Sequence, residues 1–107
     1  MDDIALREKA NLMIKLSQDY EKERMSAAKN RLKFRLILAS KLTELRQAKA
    51  NAGIDTLELM LLEEGDKETL EYYRAWHYHE NKYKGLEKII EAIKESLHLE
   101  KFLGRIE

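Results

Sequence analysis

A chain of 107 residues with 20 basic and 20 acidic side chains, no Cys, no Pro and only four Gly is a single domain, or one protomer of something larger. Those counts exclude a disulfide scaffold, a zinc ribbon, a collagen and an ordinary β-sandwich, and they remove thiol catalysis and redox switching. A composition that is 37% charged and 44% hydrophobic without a proline suits long, uninterrupted amphipathic helices.

The first helix is expected over residues 2–50, where helix formers dominate and neither Gly nor Pro occurs. Leu12, Leu16, Tyr20, Ala27, Phe34, Leu38 and Leu45 recur in steps of 4, 4, 7, 7, 4 and 7, which keeps them on one face. A helix of that length spans roughly 70 Å and needs a partner along it. A second apolar stripe, Met25, Leu32, Leu36 and Ala39, lies roughly 150° around the same helix at 100° per residue. One neighbour covers one stripe, so the second is expected to be an oligomer interface.

Asn51-Ala52-Gly53 reads as the helix stop, with Gly53 available for a left-handed cap. A short acidic helix follows over 55–64, capped by Asp55 or Thr56. Gly65 ends it, and Asp66 caps the last helix, 66–104, with Glu68 in its first turn. In that helix Tyr72, Trp76, His79, Tyr83, Leu86, Ile90, Ile93 and Leu97 alternate in steps of 4 and 3, the a/d pattern of a coiled coil. Gly85 within it suggests a close backbone approach, and Leu99, Phe102, Leu103 and Ile106 form a separate apolar end. The expected fold is all-α: one domain over 1–107, a long antiparallel coiled-coil-like hairpin with a short connecting helix, assembled into a homo-oligomer.

Charge is distributed unevenly. Residues 22–49 carry nine bases against two acids, and residues 50–71 carry one base against seven acids. The acidic block either neutralises the basic one, or leaves it to bind a polyanion such as nucleic acid. The candidate contacts are Lys22, Arg24, Lys29, Arg31, Lys33, Arg35, Arg46 and Lys49. Tyr73 and Tyr78, off the heptad seam, are the candidates for base stacking.

Other constellations are weaker. Glu95-Ser96-Leu97-His98 has di-metal helix spacing, but no second such motif exists, so no metal site and no cofactor are expected. His77 and His79 project to nearly opposite sides of a helix and cannot share a metal. Arg74-Ala75-Trp76-His77-Tyr78-His79 resembles the Arg-x4-His motif of HEPN-type ribonucleases, in which a polar residue commonly follows the Arg. That resemblance implies Arg74 and His79 acting on the scissile phosphate and the 2′-hydroxyl. With no Gly-rich phosphate loop and no Ser/His/Asp set, the expectation is no enzyme and no catalytic residue.

Ala28-Lys29-Asn30-Arg31-Leu32-Lys33-Phe34 resembles the Leu-Lys-Ala-Arg-Leu-Asp-Tyr stretch of the UvsY family, the recombination mediators of T4-type phages. The match is Lys29, Arg31 and Leu32, with Phe34 for Tyr and Lys33 for the acidic residue. The order of parts is similar over residues 20–106, ending in Ile89-Ile90-Glu91-Ala92-Ile93-Lys94. The resemblance implies a helical oligomer that binds single-stranded DNA and helps a recombinase displace single-strand-binding protein, with Lys29 and Arg31 on the DNA. Recombination or replication proteins are then the expected partners. The alternative is a structural hairpin: a scaffold, chaperone or inhibitor.

No stretch approaches the ~18 apolar residues of a membrane span, and the acidic start Met1-Asp2-Asp3-Ile4 is unlike a signal peptide. A cytoplasmic protein without a membrane partner is expected, in the bacterial host cell if phage-encoded.

Overall fold

The computed structural model describes residues 3–106 and, beyond position 99, the side chain of Lys101 alone. Asp2 and the apolar side chains of Phe102, Leu103 and Ile106 therefore lie outside the described residues. Among the described residues there are four helices, α1 (Asp3–Ser40), α2 (Leu42–Ala48), α3 (Ile54–Glu64) and α4 (Lys67–Ile106), and no strand.

The first helix does not continue to residue 50. It stops at Ser40, whose Oγ donates to the Ile37 carbonyl at 2.7 Å. The Lys41 N–H is shared between the Ile37 and Leu38 carbonyls at 3.1 and 3.2 Å, the bifurcated geometry of a tightening last turn. The break turns α2 so that Leu42 and Leu45 join the apolar cluster around Phe34 and Leu38. Tertiary packing overrides a run of good helix formers here.

The α2–α3 connection also differs from expectation. Gly53 is not left-handed; it has φ −69° and ψ 168° and stands as the extended N-cap of α3, with its carbonyl accepting the Leu57 N–H at 3.1 Å. Neither Asp55 nor Thr56 caps α3, because both lie inside the helix. Gly65 ends α3, and a Cβ there would sit 2.7 Å from the Leu61 carbonyl oxygen, so only glycine fits without backbone movement. Asp66 then caps α4: its Oδ1 accepts both the Thr69 N–H and the Thr69 hydroxyl at 2.8 Å. These two bonds, backbone first, hold the Asp66 carboxyl below the usual carboxylate range, aided by Lys41 and opposed by partial desolvation.

The chain divides into two compact units, residues 26–79 and residues 1–25 with 80–107. A 38-residue helix is roughly 57 Å long, more than one core of this size can line. In the 26–79 unit, Phe34, Leu38, Leu45, Leu57 and Leu61 form the buried cluster, and Tyr72, Tyr73 and Trp76 pack on it from α4. The Phe34 ring lies 5.3 Å from that of Tyr73 and 5.9 Å from that of Trp76. Tyr73, expected off the seam, is drawn in because α2 and α3 widen the core beyond an a/d stripe.

In the other unit, residues of α1 and α4 pair antiparallel. Tyr20 meets Tyr83 edge-on at 5.8 Å, and Glu23 pairs with Lys82 at 3.6 Å. Tyr83, Leu86, Ile93 and Leu97 are half-buried and Ile90 is buried, as the heptad reading requires. On α1, Leu16 and Tyr20 are half-buried as the spacing requires, but Leu12 is exposed and Met13, one residue on, takes the half-buried position instead. Gly85 makes no close backbone approach, since a Cβ there would meet nothing within 4 Å.

Candidate nucleic-acid interface

The 26–79 unit holds the densest basic surface. Between Arg24 and Thr43 the sequence has five bases and no acid. Lys29 and Lys33 are one turn apart and both exposed; neither makes an ion pair among the described residues. Lys33 Nζ lies 5.1 Å from the centre of the Tyr72 ring, and the Arg31 guanidinium lies 5.6 Å from that of Trp76. Cation–π attraction of this kind holds a long side chain in place without cancelling its charge. The Tyr72 hydroxyl donates to Glu68 at 3.1 Å, which raises the phenol's pKa above its ordinary value.

Two of the eight candidate contacts are diverted. Arg35, also 5.9 Å from the Trp76 ring, places Nη2 3.0 Å from Glu58 Oε1 on α3. The pair is close but not aligned as a hydrogen bond: Arg35 Nε and Glu58 Oε1 are both buried without a hydrogen-bond partner. Its charge is thus neutralised inside the unit. Arg46 turns back on the end of α2, with Nη1 at 3.4 and 3.5 Å from the Ala50 and Ala52 carbonyls. Lys49 is exposed beyond it.

Lys22 and Arg24 belong to the other unit. Arg24 approaches Glu21 at 3.9 Å, and Lys22 borders a groove of about 510 Å³ with Asp19, Glu23, Asn81 and Lys82. That mixed lining makes a poorer polyanion site than the acid-free stretch.

The acidic block does not cover the basic row. Glu58 meets Arg35, whereas Glu63 and Glu64 are exposed and Glu68 is occupied by Tyr72. The second apolar stripe is open as well: Met25 is 69% exposed, Leu32 and Leu36 each 60%, and Ala39 is exposed too.

Of the stacking candidates, Tyr73 is half-buried with His77 at 4.3 Å, and Tyr78 is exposed with His79 at 5.1 Å. Arg74 is exposed and His79 half-buried; five residues apart on α4, they point roughly 140° from each other. Among the described residues, no three of His, Asp and Glu converge as metal ligands, and no helix is long and apolar enough to cross a membrane.

The cation–π pairing was not foreseen. Its signal in the sequence was present, as alternating bases Arg31, Lys33 and Arg35 opposite the aromatic start of the last helix. No protein-family model, curated protein or solved structure matches the chain.

Proposed function

We propose that this protein is a non-enzymatic, self-associating accessory factor that binds single-stranded nucleic acid through the α1 row Lys29, Arg31 and Lys33. The observation that carries the reading is an acid-free run of bases whose charges stay exposed while two of them rest on aromatic rings. A flexible polyanion gains from such a row by counterion release, which reads no sequence. A role beside a recombinase, as the UvsY resemblance implies, fits a factor of this kind.

A salt series of single-stranded oligonucleotide binding tests it. Lys29→Ala/Arg31→Ala/Lys33→Ala is expected to flatten the slope of log affinity against log salt by about 2, at ~0.7 per lost phosphate contact. Binding absent at low salt, or a slope unchanged by the triple variant, overturns the proposal. Glu58→Gln releases Arg35 and is expected to steepen the slope by up to ~0.7.

The open Leu32/Leu36 stripe favours a second reading, a protein-interaction module. Oligonucleotide binding that is absent while self-association persists would select it.

A further inference from the structure

The stripe of Leu32 and Leu36 poses a charge problem. Lys29 and Lys33 border it on one side and Arg31 on the other, and no acid lies between Arg24 and Thr43. Two copies meeting stripe to stripe about a two-fold axis would set these bases against themselves, and like charges across an interface are costly. The stripe needs an acidic counterpart.

The same unit carries one. α3 contains Asp55, Glu58, Glu63 and Glu64 and no base. Leu57 and Leu61 turn inward, which leaves Asp55, Leu59 and Glu63 as an outward ridge at intervals of four residues. All three are exposed, Leu59 to 60%. Asp55 and Glu63 lie one turn to either side of that leucine, roughly 6 Å along the axis in each direction. The ridge is therefore an apolar knob between two carboxylates, and the stripe is an apolar seat between bases.

We infer that the α3 ridge of one copy docks on the basic-rimmed α1 stripe of a second copy, Leu59 seating against Leu32 and Leu36, with Asp55 and Glu63 facing Lys29, Lys33 and Arg31. The occupant is a second copy because the two surfaces are complementary in both sign and polarity, and a chain of zero net charge carries both. The contact is head-to-tail, so it propagates into a ring or an open filament and does not stop at a dimer. It rests on the self-association part of the reading above and adds a consequence: nucleic acid and the α3 ridge compete for the same bases.

Charge reversal tests it on the full chain by sedimentation velocity at 50 mM salt without nucleic acid. Lys29→Glu/Lys33→Glu and Asp55→Lys/Glu63→Lys should each weaken association at least tenfold. An equimolar mixture should restore it as an assembly in which the two variants alternate, because the ridge of each is again opposite in sign to the stripe of the other. The parent chain should dissociate as salt rises to 500 mM, a measurement that needs no variant. Asp55→Lys/Glu63→Lys should still bind an oligonucleotide, which separates failure of this contact from failure of the nucleic-acid reading. Stronger association of Lys29→Glu/Lys33→Glu would reveal a two-fold leucine contact and overturn the inference. So would a mixture that stays monomeric with full helical content, or a parent monomeric at every concentration, whose stripe then belongs to a partner of another sequence.

Discussion

The two compact units draw on the same two long helices and reach different degrees of burial. In the 26–79 unit, Phe34, Leu57 and Leu61 have no exposed surface; in the unit of residues 1–25 and 80–107, Ile90 is the most deeply buried described residue, at 9%. The difference is the number of helices meeting at a point. Two paired helices leave each seam side chain open along its flanks. α2 and α3 add Leu45, Leu57 and Leu61 from further directions and close the cluster. Local stability follows from how much apolar surface leaves water, so the closed unit is expected to open last.

The sharpest way to break this comparison is truncation at matched positions. Phe34→Ala should cost about 3–5 kcal/mol in urea denaturation, and Ile90→Ala about 2 kcal/mol, the low end for such a change. Equal costs would mean that the two units share one core. Hydrogen exchange should show the same order, with slower amides on α1 and α4 inside the 26–79 unit than outside it.

Glycine substitutions separate the units by sign. Gly85→Ala places a methyl in open space within a helix and should stabilise by about 0.5–1 kcal/mol. Gly65→Ala drives a Cβ toward the Leu61 carbonyl oxygen and should lower the melting temperature instead. A stabilising Gly65→Ala would mean that the α3–α4 turn relaxes freely.

The smallest effect expected is the pH response of the Asp66 cap. Its folded pKa is depressed, so its contribution is complete above the ordinary carboxylate range and disappears as pH falls through the lowered value. Parent and Asp66→Ala should therefore differ in melting temperature at neutral pH and converge in acid. A gap that persists in acid would assign the cap's effect to something other than the ionised carboxylate.

The elements most legible in the sequence were those with one strong periodic cause. The a/d alternation from Tyr72 to Leu97 set the packed face of α4, and Gly65-Asp66 marked where it begins. The break at Ser40–Lys41 was illegible because its cause is remote: Leu42 and Leu45 gain burial against α3, and nothing local to Ser40 forbids helix. Tyr73 escaped for the same reason, being off an a/d seam yet inside a core that two extra helices widen. In the candidate interface, Lys29, Arg31 and Lys33 follow from composition and spacing alone. Arg35 does not, since its diversion depends on Glu58, 23 residues away and brought near only by folding.

Trp76 is the only tryptophan in the chain, and it lies beneath Arg31 and against the ring of His77 at 4.3 Å. Its emission is consequently an intrinsic optical reporter for one half of the molecule. It will respond when a ligand lifts the guanidinium away or when the aromatic cluster melts, and it will stay silent while the Tyr20–Tyr83 pairing frays.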